Sequence, residues 1–446
     1  MNLAFCIPFA GLLLCIAVLP LIKAEWWETH QPHAVIFWSL LFVLPFAFVY
    51  GPGQAFEKVL ECIVDDYLTF IILLFGLFCV SGNITLEGDL AGSPRINVGL
   101  LLIGTMLSSW IGTTGASMLM VRPVIKMNAW RKRRSHIMVF FIFLISNIGG
   151  CLPPIGDPPL LMGFMRGIPF FWSLHLLPVL LFNAVILLTI FYFLDRRAYR
   201  RDIADGLKPD ISKPGTEVHI LGLHNLIFLV MIVAAVILSG TLPGMEAFRD
   251  AEGAVRGIRL FGEVTLTYPA LIEIVMILAA AFLSFKTTNV EIRRKNHFTW
   301  GAIHEVAVLF IGIFITMQPA LMILKANGAS LGLSKPFEMF WATGCLSSFL
   351  DNTPTYLVFL TTAGALGFTE GMTTILGTVP IAMLEAISCG AVFMGANTYI
   401  GNAPNFMVKS ISDENGIRMP SFFGYLLWSV TFLIPVFLLD TLVFFL

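Results

Sequence analysis

Apolar runs of 17 or more residues recur along this chain, and several are interrupted near their middles by glycine, proline and asparagine. A run of that length crosses a hydrocarbon core of about 30 Å as a helix. Lipid offers no hydrogen bonds to a broken helix, so an interruption survives only where protein or enclosed water satisfies the freed backbone groups. Together these constraints point to an all-α polytopic membrane protein built around its own breaks. Composition agrees: of 446 residues, 57% are apolar and 12% charged, about half the charge of a soluble domain.

Net charge, -1 from 27 basic and 28 acidic residues, carries no signal for nucleic acid. The seven cysteines lie in or beside apolar runs without paired spacing and read as small core hydrophobes. Residues 3–22 are preceded by no Lys or Arg, so they read as a first span rather than a signal peptide.

Cutting the chain at charge clusters and Gly/Pro punctuation gives ordinary spans near 3–22, 34–50, 67–82, 170–194, 224–240, 269–285, 303–325 and 421–446. Two further segments, 137–165 and 373–411, exceed one crossing and are interrupted at Gly149–Pro159 and Asn397–Pro404, which predicts broken helices. Segments 97–125 and 338–365 each hold two apolar arms of about 12 to 15 residues around a small polar turn, Gly112–Ser117 and Asp351–Thr355. Arms that short predict re-entrant hairpins.

A hairpin returns the chain to the side it left, so basic residues test it. With both hairpins re-entrant, 19 basic residues fall on one side and seven on the other, with Arg122 inside the first hairpin; counting both as ordinary spans weakens the split to about 16 against 10. The richer side is expected to be cytoplasmic, with both termini on the outer face of the cell (inner) membrane. Each half then holds five crossings, one of them broken, plus one hairpin. An odd number inverts the second half, giving inverted repeats at 1–200 and 224–446 around a cytoplasmic linker at 201–223. Ser108-Ser109-Trp110 matches Ser347-Ser348-Phe349, and Ile155–Pro159 matches Ile400–Pro404. Inverted repeats with discontinuous helices mark a secondary transporter with a midplane site.

The turns carry oxygen ligands suited to a hard cation such as sodium: Thr113, Thr114 and Ser117; Ser146 and Asn147; Asn352, Thr353 and Thr355; Asn397, Thr398, Asn402 and Asn405. Gly156 and Gly401 sit within the matching breaks. Two carboxylates, Asp157 and Asp351, lie in the turns, where an ionised Asp costs roughly 2.5 to 3.5 kcal/mol at a helix centre. Each can hold a cation when ionised and a proton when not; the plainer alternative is that each caps a half-helix. The predicted sodium site is Asn147, Asp157, Asn352 and Asp351, with Glu385 a further proton site. Glu273, Glu305 and Asp440 fall nearer predicted span ends, where they are expected to reach the interface. Gly328–Gly332 fits G-x-S-x-G, but no His follows it, the last being His304. An enzyme is not expected.

Ser146-Asn147-Ile148-Gly149-Gly150, Pro154–Pro159, Asp351-Asn352-Thr353-Pro354-Thr355 and Tyr399–Asn405 resemble the citrate-transporter-like ion transporter superfamily, in particular bacterial members described as sodium/proton antiporters. The resemblance covers nearly the whole chain. It implies the inverted-repeat fold with two hairpins, a homodimer and an elevator-like motion. In dicarboxylate carriers of the superfamily a Ser-Asn-Thr at each hairpin tip helps hold sodium and substrate carboxylates. Here the second tip keeps only Asn352-Thr353 after Asp351, and the first reads Gly112-Thr113-Thr114-Gly115. A carboxylate at the tip repels an anionic substrate. The expected activity is therefore sodium/proton antiport, with sodium-coupled transport of citrate, a dicarboxylate or a related anion as the alternative. The expected partners are small inorganic ions or a small anion and the lipid bilayer; no cofactor is implied beyond the transported or coupling ions.

Overall fold

A computed structural model describes residues 2–87, 90–208, 219–250, 252–296 and 298–446. The first half contains α1 (Ile7–Ile22), α2 (Ala24–Tyr50), α3 (Pro52–Glu61), α4 (Thr69–Ser81), α5 (Pro94–Ile111), α6 (Thr113–Met127), α7 (Ser135–Leu144), α8 (Pro158–Met165) and α9 (Leu177–Ala204). The second contains α10 (Asn225–Thr241), α11 (Tyr268–Thr287), α12 (Val290–Lys295), α13 (Gly301–Asn327), α14 (Pro336–Ser347), α15 (Asn352–Gly364), α16 (Ile381–Met394), α17 (Ala403–Glu414) and α18 (Phe422–Asp440). Among the described residues, eight helical stretches are long and apolar enough to cross a membrane, and each overlaps one of the eight ordinary spans read from sequence. The chain is an all-α polytopic membrane protein.

Both long interrupted segments are broken, α7 from α8 by residues 145–157 and α16 from α17 by residues 395–402. Proline drives the restarts. Pro158-Pro159 and Pro404 stand in the first turns of α8 and α17, where a missing N–H costs nothing. The first hairpin turns at one residue, Gly112, whose φ of +78° is open to glycine. Its feet meet: the Gly92 N–H donates to the Met127 carbonyl at 2.6 Å, and Asn97 donates to Asn128 at 3.0 Å. The second hairpin unwinds over residues 348–351.

Several boundaries differ from the sequence reading. The third span starts at Pro52 rather than near 67, because α3 continues through a π-helical turn, Cys62–Leu68, into α4. The first hairpin's arms are 18 and 15 residues long, the first exceeding expectation. Residues 373–380 do not begin a broken helix: Met372–Thr374 (β5) pairs antiparallel with Gly377–Val379 (β6), and α16 starts after Pro380. Gly371 and Gly377, at φ of +138° and +129°, place that ribbon outside helical geometry. Two further ribbons pair Thr85–Glu87 (β1) with His219–Leu221 (β2) and Gly257–Phe261 (β3) with Val264–Thr267 (β4). The expected linker at 201–223 is thus helical to Ala204 and a strand at 219–221; its residues 209–218 lie outside those described.

Polar bonds sort the helices into two bodies. In a frame of α1–α4 and α10–α13, Asn83 donates to Ser284, Ser284 to Asn225 and Asn225 to Thr288 at 2.6 to 2.9 Å, and Tyr67 donates to the Ala307 carbonyl. The second body, α5–α9 with α14–α18, contains both hairpins and both breaks. Near the arginine-rich face, fully buried Arg131 pairs with Asp195 at 2.6 Å and Asp202 at 3.3 Å, while His136 and Asn97 bond the two Asp195 oxygens at 2.8 and 2.9 Å. This cluster ties the foot of the first hairpin to α7 and α9.

Removing one member of a buried ion pair leaves the other charge uncompensated, at about 3–5 kcal/mol. Asp195→Ala is expected to destabilise the protein by that amount in SDS-induced unfolding from mixed micelles. The paired change Arg131→Met with Asp195→Leu should recover part of the loss, Asp202 keeping Arg133 as its partner at 2.9 Å.

Candidate ion-binding site

Each break frees backbone carbonyls that lipid cannot satisfy, and hydroxyls from the adjacent hairpin take them. Ser108 donates to the Ile145 carbonyl and Ser109 to that of Gly149, both at 2.6 Å. In the second half Ser347 donates to the Ala391 carbonyl at 2.6 Å and Ser348 to that of Met394 at 3.2 Å. Thr398 donates back to the Ser348 carbonyl, and the Thr113 N–H donates to the Gly156 carbonyl at 3.0 Å. The two breaks are built alike down to their glycines. A Cβ on Gly156 would sit 2.5 Å from the Gly150 carbonyl oxygen and 3.1 Å from that of Ser109; one on Gly401 would sit 2.5 Å from that of Gly395 and 2.8 Å from that of Ser347.

Asp157 is where the hairpin tips meet. Its carboxylate is 1% exposed. One oxygen accepts from the Thr113 hydroxyl of the first hairpin at 2.9 Å, and the other from the Asn352 amide of the second at 3.1 Å. Asp157 occupies the N-cap position of α8 yet makes no side-chain cap bond. Asp351 does the opposite, capping α15 by accepting from the Thr353 N–H at 3.0 Å. The capping reading therefore describes Asp351, while the Asp157 carboxylate bridges elements.

Asparagines knit the two breaks. Asn402 donates to the Ser146 carbonyl at 3.0 Å and to Asn147 Oδ1 at 3.3 Å. Asn147 donates to Asn405 Oδ1 at 2.7 Å, and Asn405 donates to the carbonyls of Gly395 and Thr398. Ser146 and Ser117 share a hydroxyl bond of 2.8 Å. Beside this junction lies a cavity of about 70 Å³, walled by Thr113, Thr114, Gly156, Asp351 and Asn402 on the junction side and by Leu77, Phe78 and Phe310 on the frame side. That exceeds the roughly 10–15 Å³ needed to admit a water, so the cavity can be hydrated. No Lys, Arg or His lines it among the described residues.

A family model described as putative citrate transport matches residues 1–445. The chain belongs to the putative citrate transport family. No curated protein matches it. Family membership and the spanning helices make it a multi-pass membrane transporter.

Within this citrate-transport-family protein, the structure brings together Thr113, Ser146, Asn147, Asp157, Asn352, Asn402 and the two break glycines. Thr398 caps the second break, accepting from the N–H groups of Ile400 and Gly401. Thr355 bonds only the Asp351 carbonyl in its own helix, at 3.0 Å, so it braces the tip. Glu385 is not brought to the junction: it lies ten residues before Gly395 in α16, about 15 Å along the axis. Glu273 and Asp440 are buried within the protein. They are 6% and 0% exposed, and Asp440 accepts from Asn183 with both oxygens, at 2.8 and 2.9 Å. Glu305 is exposed and accepts from Gln31. Arg122 donates to the Asn296 carbonyl at 3.2 Å. Ser108, Ser109, Ser347 and Ser348, which take the freed carbonyls, are the junction residues to which the sequence reading assigns no role. The matched Ser-Ser pairs, Ser108-Ser109 and Ser347-Ser348, are the signal that could have found them.

Because the Gly156 and Gly401 Cβ positions fall on backbone carbonyls, Gly156→Ala and Gly401→Ala are each expected to abolish transport in proteoliposomes and lower the melting temperature in detergent. Gly99→Ala in α5, where a Cβ meets nothing within 4 Å, should leave both unchanged.

Proposed function

We propose that this protein exchanges sodium ions for protons across the cell membrane by alternating access, with Asp157 as the site for which the two compete. The observation that carries this reading is a buried carboxylate reached from both hairpin tips by neutral donors alone, Thr113 and Asn352. A carboxylate without a cationic side chain to balance it is stabilised by an incoming cation or by a proton. The Asn352 amide suits an exchange of partners. Its Oδ1 now lies 2.7 Å from the Ser347 hydroxyl, whose single proton is shared with the Ala391 carbonyl at 2.6 Å. Turned by half a rotation, it would aim Oδ1 at a cation beside Asp157, while the Ser347 oxygen, which donates onward to the Ala391 carbonyl, accepts the amide N–H. Thr113, Asn147, Asn352 and Asn402 then supply the neutral oxygens around Asp157.

The proposed orientation puts the arginine-rich face in the cytoplasm and both termini outside. The like construction of the two breaks supports inverted repeats over 1–200 and 224–446, with the site where they interlock.

A second reading, sodium-coupled uptake of citrate or a related anion, is favoured by the family description and by one feature of the junction. The N-termini of α6, α8, α15 and α17 converge there, and helix N-termini favour negative charge. A resident sodium ion at Asp157 would be needed to offset the two carboxylates.

In proteoliposomes carrying a preformed pH gradient, sodium is expected to collapse the gradient. Asp157→Asn should abolish the response. Asp351→Asn, which preserves a good cap, should retain it with an apparent sodium affinity weakened by less than about tenfold. Labelled citrate uptake that requires sodium, with no sodium-driven proton movement, would select the second reading.

A further inference from the structure

The seam between frame and site-bearing body is largely apolar, and small residues let the surfaces approach. A Cβ on Gly115 would lie 3.0 Å from the Ser81 hydroxyl of α4, one on Gly240 of α10 would strike the Phe164 ring of α8, and one on Gly328 would meet Thr362. Among the described residues, one charged contact stands out against that seam. On the arginine-poor face, Arg166 Nη2 lies 2.6 Å from Asp66 Oδ1, with side chains only 11% and 8% exposed. Gln318 of α13 donates to the other Asp66 oxygen at 3.2 Å. At the arginine-rich end, the crossing contact from Arg122 is to a backbone carbonyl, at 3.2 Å. A pair of full charges holds more strongly than a charge on a neutral carbonyl.

Both partners sit where movement at the site would reach them. Arg166 is the C-cap of α8, the half-helix whose N-cap is Asp157, so one rigid rod about 12 Å long joins the two. Its carbonyl accepts from the Ile375 N–H at 3.0 Å, fixing it to the β5–β6 ribbon. Asp66 lies in the π-helical turn Cys62–Leu68 of the frame, a geometry that recurs at functional positions in helices. The pair also borders a cavity of about 630 Å³, lined among others by Lys58, Asp65, Gln318 and Lys325. Two charges parted in a dry interior would be stranded; parted at the wall of a polar cavity, each is hydrated.

Building on the transport reading, we infer that Arg166 and Asp66, seconded by Gln318, form a positioning pair that latches the site-bearing body to the frame and separates in every transport cycle. The pair touches no cargo. It sets which position of the body is held, and through α8 it links that position to the state of Asp157.

The test replaces the seven native cysteines and introduces Asp66→Cys with Arg166→Cys. An Arg–Asp ion pair spans more than the roughly 3.8 Å between the Cβ atoms of a disulfide, so a short reducible bis-methanethiosulfonate bridges the two thiols, with the bridge verified by mass spectrometry. Bridging is expected to cut flux at least tenfold, and reduction to restore it. The monofunctional reagent at the same positions should spare flux. Undiminished flux through the bridged protein would overturn the latch, because a permanent structural contact tolerates a covalent link. Sodium-driven proton movement and sodium-dependent citrate uptake are both read in the same liposomes, so failure of one transport reading is visible separately. If neither cargo moves, labelling of Thr114→Cys by a membrane-impermeant maleimide supplies the readout. Bridging should abolish labelling from one face of the membrane, and equal labelling with and without the bridge would refute the latch.

Discussion

Everything in this structure follows from the rule that a backbone carbonyl or amide in a membrane needs a partner from the protein itself. Two apolar helices are interrupted, which in lipid would be ruinous for either alone. The hairpins exist beside them because their Ser-Ser pairs supply the missing donors: Ser108 and Ser109 to one break, Ser347 and Ser348 to the other. The close approach this requires explains the glycines at 150, 156, 395 and 401, each of which faces backbone or a tip side chain where a Cβ would stand. Hairpin and broken helix are therefore one unit, and a change in either is felt by both.

Satisfying the backbone in this way leaves side chains at the tips available for other work. Thr113 and Asn352 converge on Asp157, while Asn147, Asn402 and Asn405 hold the two breaks together. The neutrality of these partners matters chemically. A buried carboxylate already paired with arginine, such as Asp195 with Arg131, has its charge balanced and serves structure. Asp157 has only dipoles around it, and on that difference rests the proposal that a mobile cation or a proton binds there. The two aspartates, both buried and in one body, differ in whether a cationic side chain balances them.

Much of this was legible in the chain. The eight ordinary spans, both broken helices and both hairpins follow from run length and Gly/Pro punctuation, because lipid imposes a length and a continuity that water does not. The basic-residue count favoured hairpins for the same reason. Legibility failed where local pattern is ambiguous. The β5–β6 ribbon hides in an apolar stretch that reads equally as helix, and the π-helical turn at 62–68 leaves no composition signal. Glu385, read as a further proton site, lies ten residues before the break at Gly395, a separation that the break's position within the segment decides.

The sequence by itself determined that the chain spans a membrane, where it breaks, and which polar residues sit in the breaks, since each of these depends on neighbours along the chain. Which of those residues meet was decided by tertiary structure. Asp157 and Asp351 are equivalent candidates on paper, yet one bridges two hairpin tips and the other caps its own helix, because a side chain's partner depends on elements 44 and 195 residues away. The same holds for Arg166 and Asp66, 100 residues apart and invisible to any local pattern. Their juxtaposition exists only because two separately bonded bodies come together at that end of the molecule.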